Sequence, residues 1–334
     1  MFSERVRDAW PQALAKCPDD GRSKVWGVRV HIAHETGREL MGELPPGVDV
    51  VVADPDVTDP NDLADRLSDV EFWVPQFLRP ALSAEVIGGL RKLAVVQLLT
   101  AGVDAWLGRL PEHVTLCDAR GVHSSSTAEW AVTAILSYLR DFPFFARAQG
   151  RGEWAYRRTD ELAGKSVLVV GAGAIGEAIA SRLEPFEVSL TRVASRARPG
   201  VHGVDELPAL LPAADVVVLI VPLTSATTGM VDAGFLRSMR DGALLVNAAR
   251  GPVVDTAALT AELGTGRIGA ALDVTDPEPL PAGHPLWAMP NVLLTPHTAA
   301  SVGGTLRRAY GLVGDQVRRY TAGEPLINVV TGNY

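Results

Sequence analysis

Apolar positions along the chain fall into two series of short, β-branched runs separated by helix-like stretches. That pattern is expected of parallel sheets joined by crossover helices. The first series reads KVWGVRVHI (24–32), VDVVVA (48–53), VEFWV (70–74) and LAVVQLL (93–99). The second reads SVLVV (166–170), VSLTRV (188–193), DVVVLIV (215–221), ALLVN (243–247), IGAALDV (268–274) and NVLLT (291–295). Runs that stay apolar without alternating are expected to be covered on both faces. Between the two series a single long helical pattern covers 124–154. Its Ser/Thr start followed by Glu129 is a capping signature, and Pro143 is expected to break or kink it. A last helical stretch, 303–322, has no place in the second series, whose sheet is complete without it. It is therefore expected to return to the first domain, making that domain discontinuous.

A chain of 334 residues is long enough for two such domains, each with its own core. The longest apolar runs, such as VVVLIVPL at 216–223, are too short to cross a bilayer. The N-terminal MFSERVRDAW is charged from Glu4 onward and lacks an apolar signal core. Cys17 and Cys117 offer neither a disulfide framework nor metal-ligand spacing, and His31 and His34 make no metal site either. A cytoplasmic protein without a resident metal is expected. The net charge of −8, with no basic run longer than a pair, argues against a nucleic-acid partner.

The sharpest motif is SVLVVGAGAIGEAIASRL, in which Gly171, Gly173 and Gly176 follow a strand and open a helix. This is G-x-G-x-x-G in the context that dinucleotide binding requires. Gly171 permits the tight turn, Gly173 admits a pyrophosphate, and Gly176 lets helix and strand pack closely. About 20 positions on, an NAD-preferring site carries an acid for the ribose 2′-hydroxyl. Here LTRVASRARPG (190–200) has no acid but supplies Ser195, Arg196 and Arg198, which suit a 2′-phosphate. NADP(H) is the expected coenzyme, with NAD(H) as the second choice.

Three further residues follow successive strands. Arg250 in GALLVNAARGPVVD follows one, Glu278 lies in the loop after the strand ending at Asp273, and His297 follows NVLLTP. Each has an ordinary reading when taken singly. Arg250 could pair with Asp255, Glu278 could be a solvated loop charge, and His297 a turn residue. Ligands of open α/β sheets bind at the carboxyl ends of the strands, where all three would meet the glycine loop. There an arginine suits a planar carboxylate, and a carboxylate beside an imidazole orients a proton donor.

The segments VVGAGAIG, VPLTSATTGMV, LLVNAARGPVVD, ALDVTDPEPLPAGHPLW and NVLLTPHTA, in this order, resemble the D-isomer-specific 2-hydroxyacid dehydrogenases over most of the chain. The resemblance implies a flavodoxin-like substrate domain at 1–118 plus 299–334 and an NAD(P)-binding Rossmann domain at 119–298. It implies that Arg250 holds the carboxylate and carbonyl of a small 2-keto acid, with His297 as the acid/base and Glu278 as its partner. Thr100, Ala101 and Gly102, in QLLTAGVD, would meet the carboxylate. Ala174, Ile175, Val221, Pro222, Thr227, Ala248, Asp273 and Thr127 would contact the coenzyme. A homodimer through the 124–154 region is also implied. The chain departs from the family at Glu187, where a glycine is usual, and at Thr275, where an aromatic is usual. The first departure blurs the register of the strand leading to Ser195. A C-terminal regulatory amino-acid-binding domain is not expected. Three other readings stay open: a coenzyme-sensing binding protein, a phosphite dehydrogenase, and a formate dehydrogenase. Glutamine rather than Glu278 is expected in the last.

Overall fold

The computed structural model describes residues 27–52, 65, 67–77, 87 and 90–331. Cys17, Ala53 and positions 24–26 of the first predicted run lie outside them. The first series of runs forms β1 (Arg29–Ile32), β2 (Asp49–Val52), β3 (Phe72–Trp73) and β4 (Val95–Gln97), joined by β5 (Thr115–Cys117). They make a five-stranded sheet of order β2-β1-β3-β4-β5, every pair parallel. This is the flavodoxin-like doubly wound order.

The second series forms β6 (Ser166–Val170), β7 (Ser189–Ala194), β8 (His202–Gly203), β9 (Val216–Leu219), β10 (Leu244–Asn247), β11 (Gly269–Leu272) and β12 (Val292–Leu294). Their order is β12-β11-β10-β9-β6-β7-β8, again all parallel. Read from β8, this is the dinucleotide-binding order with one added strand, and its direction switches between β6 and β9. The four residues of β9, of β10 and of β11 are all buried, as strands covered on both faces require. Strands β5 and β8 were not expected from sequence, because TLC and HG are too short to carry a periodic signal.

Helices α1 (Glu35–Leu40), α2 (Ser124–Leu139), α3 (Phe142–Gly150), α4 (Ala174–Leu183), α5 (Leu207–Leu210), α6 (Ala233–Ser238), α7 (Thr256–Gly264) and α8 (Thr305–Ala322) complete the described structure. The predicted helix at 124–154 is thus two helices. A helix running on through Pro143 would press the proline ring against the carbonyl of Leu139, four residues back. The chain therefore leaves the helix at Leu139, passes through Asp141 at φ 54, and restarts with Pro143 harmlessly in the first turn of α3. The expected capping signature does not form either. His123 is the N-cap residue and makes no side-chain cap bond, while the Ser126 hydroxyl donates back to the His123 carbonyl at 3.2 Å.

Helix α8 packs on α1 and lays Ala309, Tyr310, Val313 and Val317 into the core built by Val30, Ile32, Met41, Phe72 and Val95 of the five-stranded sheet. The seven-stranded sheet carries a core on each face, one of them closed by Ala128, Ala131 and Ile135 of α2. Among the described residues no helix is long and apolar enough to cross a membrane.

Candidate active site

The glycine motif sits where β6 turns into α4. Gly171 has φ 120, and a Cβ there would lie 2.3 Å from the carbonyl oxygen of Ile220. A Cβ on Gly176 would lie 1.9 Å from the Gly171 carbonyl oxygen, so any side chain would push helix and strand apart. At Gly173, by contrast, nothing comes within 4 Å. That open space faces a cleft walled by Gly173, Ala174, Ile175 and Gly176 on one side and by Ala101, Gly102 and Ser124 on the other. Val221, Pro222 and Ala248 also line it. The arrangement fits a dinucleotide: the amides of a helix N-terminus face a gap that only a missing Cβ leaves open. Thr227 lies off this wall. Its hydroxyl donates to the Pro222 carbonyl at 2.6 Å and accepts from the Thr224 amide at 2.8 Å, ordering the loop that carries Val221 and Pro222.

Glu187, the departure from the expected glycine, has φ 59 and occupies the left-handed region where glycine is at ease. The backbone therefore turns as a glycine would, and β7 keeps its register, with Ser166 opposite Ser189 and Val170 opposite Val193. Ser195 follows directly at the end of β7. Arg196 is exposed, and Arg198 donates to the carbonyl of Ala172 at 2.7 Å, across the glycine loop. None of these three residues is among those lining the cleft.

A second cavity adjoins the first. Thr100, Ala101, Gly102, Thr127, Ala248, Arg250, Asp273 and His297 all line it. Arg250 is presented by a turn at the end of β10, which Asn247 closes by accepting from the Ala249 amide (3.0 Å) and donating to the Arg250 carbonyl (3.2 Å). Its guanidinium does not pair with Asp255, which caps α7 by accepting from the Ala258 amide. It crosses instead to the loop after β4, where Nε meets Asp104 Oδ1 at 3.2 Å. It lies so close to Gly102 that a Cβ there would be 1.5 Å from Nη2.

His297 has φ 52, and its amide donates to the Asp273 carbonyl at 2.7 Å. Its Nδ1 is 2.6 Å from Glu278 Oε1, which leaves Nε2 as the nitrogen available to a ligand. Glu278 stands between two cis prolyl bonds, Asp276–Pro277 and Glu278–Pro279. Asp273, only 2 % exposed, uses both carboxylate oxygens to hold the loop that carries His297. Oδ1 accepts from the Thr295 hydroxyl (2.6 Å) and the Thr298 amide (2.8 Å), and Oδ2 from the Ala299 amide (2.9 Å). Trp130 of α2 donates to the same Thr295 hydroxyl at 3.0 Å, tying the loop to the helix.

Asp104 and His123 were not singled out from the sequence. The first lies four positions beyond Thr100 in the quoted QLLTAGVD, so only its distant partner was hidden. His123 carries no signal in sequence, since a histidine before a serine run reads as a helix start. Burial, with a contribution from Arg308 and Arg250, pushes its imidazole below the ordinary histidine range, against a bond to the Leu99 carbonyl that acts the other way. Among the described residues no group of three His, Cys, Asp or Glu side chains could hold a metal ion.

Comparison with known proteins follows the same lines. The model for the NAD-binding domain of D-isomer specific 2-hydroxyacid dehydrogenases matches residues 132–299. A glyoxylate/hydroxypyruvate reductase A of Citrobacter koseri is 35 % identical over 260 residues, 70 % of this chain and 81 % of the relative. A mitochondrial formate dehydrogenase of Oryza sativa is 35 % identical over 281 residues, 79 % of this chain and 74 % of the relative. The crystal structure of a D-isomer specific 2-hydroxyacid dehydrogenase from Xanthobacter autotrophicus, in complex with NADPH and MES, superposes with a TM-score of 0.76. It is 34 % identical and covers 91 % of this chain and 98 % of its own. With the two parallel sheets and the glycine loop at their cleft, these matches place the chain in the D-isomer specific 2-hydroxyacid dehydrogenase family.

Proposed function

We propose that the chain is a nicotinamide-dependent oxidoreductase that interconverts a small 2-keto acid and its D-2-hydroxy acid. One observation carries the reading: Arg250 and His297 line one cavity beside the glycine-loop cleft, with Glu278 bonded to the imidazole nitrogen that faces away from it. When bound, the nicotinamide supplies the hydride or accepts it. Arg250 holds the carboxylate and the keto oxygen, assisted by the backbone of Thr100, Ala101 and Gly102. In reduction His297 gives a proton from Nε2 to the keto oxygen as charge develops there, while Arg250 complements that charge. Glu278 fixes the ring and complements the imidazolium. Asp273, Thr127, Ala248 and Ile175, which line the same cavity, would hold the nicotinamide. Formate oxidation moves a hydride alone, whereas a carboxylate–imidazole pair serves a reaction that also moves a proton to or from oxygen. Oxidation of NADPH with glyoxylate or hydroxypyruvate, followed spectrophotometrically, is the direct test, and a chain that binds NADPH but turns over no keto acid is a coenzyme sensor instead.

The proposed coenzyme is NADP(H), supported by Ser195 and Arg196 at the end of β7 and by the NADPH in the Xanthobacter relative. Arg196→Ala should raise the KM for NADPH about tenfold, since a charge-assisted bond to a phosphate is lost. NADH should be unaffected, and equal losses for both coenzymes refute the phosphate-binding role.

The proposed substrate domain comprises 1–118 and 299–334, the coenzyme domain 119–298, and the assembly is a homodimer. Trp154 is fully exposed, Tyr156 is 89 % exposed and Phe142 is exposed too, all on the segment around α3. Bare aromatics of this kind suit the face of a second copy. Trp154→Asp should weaken the dimer about thirtyfold or more, as loss of an aromatic anchor does, and sedimentation analysis then shows monomer. A dimer of unchanged affinity removes this face from the interface.

A further inference from the structure

Helix α2 reaches the active site from two positions one turn apart. Thr127 lines the cavity that Arg250 and His297 share, whereas Trp130 lines neither cavity and packs half-buried against the core. The Trp130 indole nitrogen donates to the Thr295 hydroxyl at 3.0 Å. An indole N–H can only donate, so the Thr295 oxygen is the acceptor and its own hydrogen is left for another partner. That partner is Asp273 Oδ1, at 2.6 Å. The chain of bonds therefore has one direction, from Trp130 through Thr295 to Asp273, and bonds in such a series polarise one another. It ends on the loop that carries the histidine. The Asp273 backbone carbonyl accepts from the His297 amide at 2.7 Å, and its carboxylate, only 2 % exposed, collects the amides of Thr298 and Ala299. His297 holds φ 52, a conformation that persists only where the surroundings over-determine it.

Resting on the proposed function, we propose that Trp130 is a positioning residue for the proton donor, acting on the backbone of His297 through Thr295 and Asp273. One helix then sets two parts of the reaction in register: Thr127 on the wall proposed for the nicotinamide, and Trp130 on the loop that presents the imidazole. A proton donor is effective only when held within hydrogen-bond reach of the oxygen it serves, so a small shift of this loop is felt in the chemical step. Binding is spared, because Trp130 lines neither the cleft nor the cavity beside it.

The test follows single turnovers of NADPH oxidation by glyoxylate in the full-length protein, which read the chemical step and, from their concentration dependence, the affinity for the acid. Trp130→Phe keeps an aromatic ring against the core and removes the donor. Its single-turnover rate should fall about fivefold, the net worth of one neutral hydrogen bond expressed at the barrier. Affinities for glyoxylate and NADPH should stay within about twofold, since no bond to either is lost. Thr295→Val removes the acceptor and should cost the rate at least as much. Adding Trp130→Phe to Thr295→Val should then change the rate by less than about 1.5-fold, because the bond between the two is already gone. A role in packing alone gives the same loss in both backgrounds, and that result overturns the inference. So does an unchanged rate in Trp130→Phe, or a parallel fall of the rate and both affinities. Thermal unfolding checks that the variants fold, and if Trp130→Phe does not, Trp130→Leu takes its place with the same expected split between rate and affinity. These outcomes, in an active wild type, decide the role of Trp130 alone. A wild type that binds NADPH and reduces no keto acid overturns the proposed reaction itself.

Discussion

His297→Asn should lower kcat for keto-acid reduction by about 1,000-fold, within the range that positioned proton donors contribute. Asparagine is the instructive replacement because His297 sits at φ 52, a conformation asparagine tolerates better than alanine. The loop should therefore keep its shape, anchored as it is by Asp273 through Thr298 and Ala299. Coenzyme binding, read by quenching or enhancement of NADPH fluorescence, should stay within about threefold, because no ion pair or hydrogen bond to the coenzyme is removed. Loss of turnover with intact coenzyme affinity separates a chemical role from a structural one. Full activity in this variant removes His297 from the mechanism.

Arg250→Gln should reduce kcat/KM on the order of 1,000-fold, since removing one member of an enclosed, hydrogen-bonded charge pair costs about 2–5 kcal/mol. The guanidinium is not idle before substrate arrives, because Asp104 already engages Nε at 3.2 Å. On the proposed reading, a substrate carboxylate would meet a cation held in place over Gly102 rather than a flexible one, which would spare part of the ordering cost. Arg250→Lys should fare little better, as an ammonium cannot present two parallel donors to a carboxylate. The measurement is steady-state kinetics across keto-acid concentration, with Asp104→Asn/Arg250→Gln as the control for leaving Asp104 unpaired. If Arg250→Gln retains wild-type kcat/KM, the carboxylate is bound elsewhere.

Much of this arrangement was legible in the chain because it depends on local pattern. SVLVV before GAGAIG declares strand, turn and helix within a few residues, and the cradle at Gly171–Gly176 has the expected form. The ends of β10, β11 and β12 likewise followed from apolar runs, so Arg250, Asp273 and His297 could be set on one sheet edge. What escaped depends on contacts between distant segments or on very short elements. Strand β5 is recognisable only by its neighbour β4, and the helix break falls at Leu139 because the proline clash is felt four residues upstream. The resemblance implies that Asp273 stands beside the nicotinamide; in the structure it shares a cavity with Arg250 and His297. Its hold on Thr295, Thr298 and Ala299 could not be read from LDVTDPEP, since the amides it collects belong to the next strand and loop. His123 and Asp104 were overlooked for the same reason: their partners, Leu99 and Arg250, are remote in sequence.

The return of α8 to the five-stranded sheet has a bearing on how the chain is made. Every strand of the seven-stranded sheet has been synthesised once Leu294 is added, and its strands pair mostly with near neighbours in order. The five-stranded sheet is begun first but finished last, since Val30, Ile32 and Phe72 wait for Ala309, Tyr310 and Val317 to cover them. Nascent chains acquire their cores from the N-terminus onward where contacts are local, and slowly where they are not. For most of translation, then, the earliest strands of this protein lack part of their cover, and they still lack it when the later sheet is whole at Leu294.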